Sequence, residues 1–338
     1  MRVAVWRSNN DIRVEEVERP RPGPRELLLS VQACGICGSD VVEWYRKPRA
    51  PLVPGHEVGG RVEEVGSEIT RYARGDRVVV MPKVPCGECR YCRRGHEAVC
   101  PFVTARMPGC FADYVLVPEV VVTRGTFLLP EEVTYEQATF VEPLACAVRA
   151  QRLAGLAPSD TLVVMGSGMS GQLQIRLAAA RGMRVVATDV HPSRRELARV
   201  SGAVATVDAR EDVPRRVEEV LGGKADAVIL CTSALPAIEQ AWSLVDRGGA
   251  VVFFATPGPE HDVSVPMARL WTQEVRILTA YYCGPDDVRE ALDLIASGTV
   301  QVDDLVTHRL PLAAIAQGYA LVLDGRESLK VIIKPGDG

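Results

Sequence analysis

Thr161-Leu-Val-Val-Met165, running straight into Gly166-Ser167-Gly168-Met169-Ser170-Gly171, is the stretch on which the reading of this chain turns. Five apolar or β-branched residues predict a buried strand, and Gln172–Arg181 after the glycines has helical spacing. In such a strand–turn–helix the first glycine allows the tight turn, and the second lets backbone approach a pyrophosphate. The third lets helix and strand pack closely, so the anion rests on the helix N-terminus. A second strand, Arg184–Thr188, leads into Asp189. An acid there accepts hydrogen bonds from ribose hydroxyls and repels a 2′-phosphate, which favours NAD over NADP. The expected cofactor contacts are Gly166, Ser167, Gly168, Met169, Gly171, Asp189 and Arg194. Arg194 and Arg195 otherwise read as the solvated face of an amphipathic helix.

Strands and helices go on alternating around this motif. Helices are expected at Cys146–Leu156, Ser193–Val200 and Pro236–Val245, and strands at Val204–Val207, Ala227–Cys231 and Ala250–Ala255. That alternation predicts a doubly wound parallel sheet with helices on both faces. Before it, from Val3 to about Val141, the pattern is short and β-like, as in Leu27–Val31, Val58–Val65 and Arg77–Met81. After it come helices at Asp287–Ser297 and Leu312–Leu323 and a strand at Lys330–Ile333. The expected division is a β-rich domain from 1–145 and 286–338 around a nucleotide domain at 146–285.

The 338 residues suit two domains, and a net charge of −4 gives no electrostatic reason to expect nucleic-acid binding. No apolar run is long enough to span a bilayer. Met1–Val17 mixes Arg, Asp and Glu with its apolar residues, which argues against an export signal and for a cytoplasmic protein. Thiols there stay reduced, so ten cysteines need another use than disulfides. Cys86, Cys89, Cys92 and Cys100 crowd into one segment. Four thiolates close a tetrahedral Zn²⁺ shell with no open position, which assigns the lobe to structure; an iron–sulfur cluster is the competing use. Cys34, Cys110, Cys146, Cys231 and Cys283 read as small buried apolar residues.

Candidate ligands for a second, open metal site lie on separate pieces: Cys37, His56 with Glu57, and Glu142. Each alone is weak. Their order, with Gly75-Asp-Arg-Val78, Phe111-Ala-Asp-Tyr-Val115, Glu142-Pro-Leu144 and Thr307-His-Arg309, resembles the zinc-dependent medium-chain dehydrogenase/reductase superfamily, in its polyol (sorbitol) dehydrogenase-like branch. The resemblance runs nearly end to end. It implies a GroES-like catalytic domain beside a Rossmann domain, with two zinc ions and NAD.

By that resemblance Cys37 and His56 ligate the catalytic zinc, with Glu57 and Glu142 as the acidic third and fourth positions. Asp40 orients His56, and Ser39 passes the substrate proton outward. The metal lowers the pKa of a secondary hydroxyl on a polyol, sugar or (amino)cyclitol, and hydride leaves for nicotinamide. Vicinal-diol (butanediol-type) or L-threonine oxidation is the alternative, and a non-catalytic NAD- and zinc-binding protein a further one. The partner is thus a small-molecule alcohol, and relatives imply a homodimer or homotetramer. Two features depart from the branch. Val42 stands where many relatives have a relay histidine, leaving Glu43, ribose hydroxyls or water as substitutes. A shortened stretch carries Trp44, Tyr45, Arg46, Lys47 and Arg49, read either as recognition of a polar or anionic substrate or as solvated cations with Trp44 in the core.

Overall fold

The computed structural model describes residues 1–103 and 105–337. They form two compact units, Cys146–Tyr282 and Met1–Ala145 with Cys283–Gly338.

The middle unit is built on a six-stranded, all-parallel sheet. Its spatial order is Ala205–Asp208, Arg184–Asp189, Thr161–Met165, Ala225–Leu230, Val245–Phe253, Arg276–Thr279. The chain therefore starts in the middle, winds out one way, and returns to the other side of Thr161–Met165. Alternation along that strand shows why both faces are apolar. Val163 and Met165 enter a core with Val213, Val217, Ile238 and Trp242. Leu162 and Val164 enter the opposite core with Ala150, Ala154, Ile175 and Ala178. The expected strands and helices are present with shifted ends; the first helix begins at Val141 and runs to Ala154. Three elements lie outside the sequence expectations: the edge strand Arg276–Thr279, a short helix at Met267–Thr272 and a helix at Val213–Leu221. The Val213–Leu221 helix is capped by Asp212, whose carboxylate accepts from the Arg215 N–H at 3.3 Å, and it stops at Gly222 with φ +80.

The other unit is organised by the Leu27–Gly35 strand, which pairs antiparallel with Glu57–Val65 and with Tyr114–Val117. Leu27, Leu28 and Leu29 are fully buried, so this strand is covered on both faces. Its remaining partner arrives from the far end of the chain: Lys330–Lys334 pairs antiparallel with it, setting Ile332 opposite Gly35. Gly35 also stands opposite Glu57. Three strands distant in sequence thus converge just before Cys37. The cysteine lobe has little regular structure, only short 3₁₀ turns at Cys92–Arg94 and Glu97–Val99.

Leu29→Ala should lower stability by about 2–5 kcal/mol in urea unfolding, from lost transfer energy and an unfilled cavity. Leu128→Ala, on the same sheet but half exposed, should change it by less than about 0.5 kcal/mol. Equal losses would contradict the placement of this core.

Candidate metal centres and nucleotide turn

Cys37 leaves the central strand as the cap of a 3₁₀ turn at Gly38–Val41. Its Sγ accepts from the Ser39 N–H at 3.4 Å and from the Ser39 hydroxyl at 3.3 Å, while its own N–H donates to Asp40 Oδ2 at 3.1 Å. His56 precedes the neighbouring strand, after Gly55, whose φ of +95 turns the chain where the Phe111 N lies 2.9 Å from any added Cβ. Donor atoms of Cys37, His56 and Glu57 all lie within 4.8 Å of one another. Asp40 Oδ1 sits 3.3 Å from His56 Nδ1, which leaves Nε2 as the outward nitrogen. Sulfur, imidazole and carboxylate gathered this closely fit a divalent transition metal such as zinc.

Burial works against the Asp40 carboxyl, but His56 and the Arg46 guanidinium outweigh it and hold it below the usual carboxylate range. Burial and the nearby Glu57 raise the Cys37 thiol, with His56 opposing. A dication at the three donors would reverse that shift, because a coordinating thiol is deprotonated outright.

The two acidic candidates differ. Glu57 Oε2 accepts from Lys330 Nζ at 2.5 Å, and both side chains are only 1% exposed. Lys330 also donates to Thr139 O at 2.9 Å and lies 4.7 Å from the Phe140 ring centre. Glu142 stands outside the group of three, within 4.8 Å of the Cys283 sulfur. In the sequence Lys330 is only the first residue of an expected strand, with nothing beside it that marks a partner for Glu57. Glu43, one of the relay substitutes, accepts from the Asn9 N–H at 2.9 Å. Trp44 is not in the core; it is 47% exposed, and the buried residue of that stretch is Arg46.

In the lobe, Sγ–Sγ separations are 3.5 Å for Cys89–Cys92, 3.6 Å for Cys86–Cys100, and 3.9 Å for Cys86–Cys92 and Cys89–Cys100. A tetrahedron with Zn–S bonds of about 2.3 Å has edges of about 3.8 Å. Backbone N–H groups of Cys86, Cys89 and Cys92 already point at sulfurs, at 3.3–3.5 Å. The N–H groups of Glu88 and Cys89 lower the Cys86 thiol to about 7, and burial raises Cys92 to about 12. The donor set fits one zinc ion with no vacant position.

At the glycine turn, Gly166 has φ +90 and a Cβ at Gly171 would lie 2.0 Å from the Gly166 carbonyl oxygen. Only glycine fits at either place. Asp189 Oδ2 accepts from the Ser167 N–H and Oδ1 from the His191 N–H, both at 2.8 Å. Each oxygen keeps a lone pair for a ribose hydroxyl. Arg194 Nη1 reaches to 3.8 Å from Asp189 Oδ2, and Arg195 bridges Asp208 at 3.0 Å and Asp189 O at 2.9 Å. Neither is the solvated cation that the helix pattern implies.

Two family models match the chain, the alcohol dehydrogenase GroES-like domain over residues 23–127 and the zinc-binding dehydrogenase over 171–297. The chain is 33% identical to an erythritol/L-threitol dehydrogenase of Mycolicibacterium smegmatis, covering 99% of this chain and 98% of that protein. It is 32% identical to the sorbitol dehydrogenase of Gallus gallus, covering 98% and 95%. A solved zinc-binding dehydrogenase from Sinorhizobium meliloti, bound to NADP, matches at 30% identity over 99% of each chain with a TM-score of 0.87. With these matches spanning both units, the chain belongs to the zinc-dependent medium-chain dehydrogenase family, in its sorbitol-dehydrogenase-like branch.

Proposed function

We propose that this oxidoreductase is a zinc-dependent alcohol dehydrogenase that oxidises a secondary hydroxyl of a polyol, sugar or cyclitol, with NAD as acceptor. The observation that carries this reading is the mixed group of Cys37, His56 and Glu57 within 4.8 Å, backed by buried Asp40 and, among the described residues, not closed by a fourth donor. The relatives named for erythritol, threitol and sorbitol support the substrate class.

In this reading Cys37 and His56 hold the catalytic zinc, with Glu57 and Glu142 sharing the acidic position, and Cys86, Cys89, Cys92 and Cys100 hold the structural one. When bound, the catalytic zinc supplies a Lewis acid that lowers a hydroxyl's pKa, and the nicotinamide supplies the hydride acceptor. Asp40 keeps the His56 proton on Nδ1, so that Nε2 is the ligand. Ser39 Oγ accepts a hydrogen bond from the substrate hydroxyl. Val42 has no proton acceptor, while Glu43 accepts from the Asn9 N–H on one oxygen and keeps the other, so Glu43, the ribose hydroxyls and water are the onward carriers of the proton. Gly166, Ser167, Gly168, Met169 and Gly171 cradle the pyrophosphate, and Asp189 takes the ribose hydroxyls.

We also infer a homodimer or homotetramer. The edge strand Arg276–Thr279 has Ile277 39% exposed, and nearby Met267 and Trp271 are 59% and 78% exposed. Such an edge is usually covered. A monomer mass in light scattering would remove this inference.

Zinc-loaded protein offered polyols, sugars, cyclitols, vicinal diols and L-threonine should form NADH with one class, and faster with NAD than NADP. Cys37→Ala and His56→Ala should reduce the rate at least about 1,000-fold while leaving circular dichroism unchanged, and Asp189→Ala should narrow the NAD preference. Normal turnover by Cys37→Ala would sink the assignment.

Lys330→Met strands the Glu57 carboxylate and should cost about 3–5 kcal/mol in urea unfolding. Adding Glu57→Gln should recover most of that loss. Additive losses in the double variant would show that the two side chains are not coupled.

A further inference from the structure

We propose that Arg46 is a positioning residue of the open metal site, which sets the direction of the Ser39 hydroxyl and holds the Asp40 carboxylate for His56. The inference rests on the reading of Cys37 and His56 as metal ligands.

Arg46 ends a one-turn helix at Glu43–Arg46 and is 9% exposed, whereas its cationic neighbours Lys47 and Arg49 are exposed. Arg49 places its guanidinium on Tyr45, 4.7 Å from the ring centre and donating to the Tyr45 carbonyl at 3.0 Å. Arg46 lies 5.4 Å from the same ring centre but turns inward, and one short segment takes its Nε and Nη2 donors. Nε donates to Ser39 O at 3.0 Å, and Nη2 donates to Ser39 Oγ at 3.1 Å and to Asp40 Oδ1 at 2.6 Å. All of these acceptors belong to the turn that begins at Cys37. Burying a guanidinium costs desolvation and side-chain entropy, and this planar set of donors is what offsets it.

The consequence follows from what a guanidinium lacks. It has no lone pair, so at Ser39 Oγ it can only donate. The hydroxyl must accept from Arg46 and send its own hydrogen elsewhere, and Cys37 Sγ lies 3.3 Å away to receive it. Ser39 is left one lone pair toward the substrate side. Asp40 is fixed in the same way, with Oδ2 on the Cys37 N–H at 3.1 Å and Oδ1 shared between Arg46 and His56 Nδ1 at 3.3 Å. One cation therefore orders a hydroxyl next to the sulfur ligand and a carboxylate behind the imidazole ligand. No other side chain of this turn takes that role: Val41 and Val42 are apolar, and Glu43 accepts from Asn9.

The test uses the full-length chain with cobalt(II) in place of zinc. The difference between wild type and Cys37→Ser isolates the thiolate-to-cobalt band of the open site from that of the four-cysteine lobe. Arg46→Gln should weaken cobalt at the open site about 10-fold in competition with a chelator and shift that band, with the lobe's signal unchanged. Arg46→Lys keeps the charge but not the fork, and should fall between Arg46→Gln and wild type. If Arg46→Gln fails to fold, Arg46→Lys decides alone. Wild-type affinity and spectrum in the lysine variant, or in both, would overturn the role of Arg46 and leave the metal site standing. A wild-type spectrum indifferent to Cys37→Ser would instead overturn the metal-site reading beneath it.

Discussion

The ion pair between Lys330 and Glu57 is the constraint around which the metal-binding unit is arranged. Both groups are 1% exposed, and neither is tolerable there alone. The pair needs space, and Gly35 provides it: a Cβ at that position would lie 2.4 Å from Glu57 Oε2 and 2.6 Å from Lys330 Nζ. It also needs the Lys330–Lys334 strand, which reaches Leu27–Gly35 from the far end of the chain. The same register sets Gly35 opposite Glu57 and so brings the Cys37 turn alongside His56. A buried charge, a missing side chain and a long-range strand pairing together aim the donor atoms.

The two proposed metal centres differ in character because two kinds of support hold their donor atoms. The four-cysteine lobe has short turns and few strands, so its thiols and the N–H groups pointing at them supply much of its order. A sulfur shell of that kind suits a structural ion. At Cys37 and His56 the order comes from the protein: strand register, a capped turn, buried Asp40, and Arg46 beneath. A site already held in place can leave part of its metal's surroundings to a substrate.

The nucleotide unit was legible in the sequence because its signals are local. Thr161–Met165 is the strand expected, and the glycines turn where the pattern places them. The Val213–Leu221 helix was missed although Asp212, Pro214 and Gly222 mark both its ends, because its apolar stripe is short and set among arginines and glutamates. Around the metal site the failures are of another kind. A four-residue helix has no periodicity to reveal that Arg46 faces inward and Trp44 outward. Lys330 lies 273 residues from Glu57, and nothing near either residue announces the pairing. Arg195 looks solvated until the neighbouring strand brings Asp208 to 3.0 Å.

Zinc content per chain, measured with and without each ligand set, tests the central claim most directly. The account predicts two zinc ions in the wild type and one in each of Cys37→Ala and Cys92→Ala. It also predicts that loss of the Cys92 ion lowers thermal stability while loss of the Cys37 ion leaves the fold intact. A single zinc ion in the wild type, unaffected by Cys37→Ala, would contradict it.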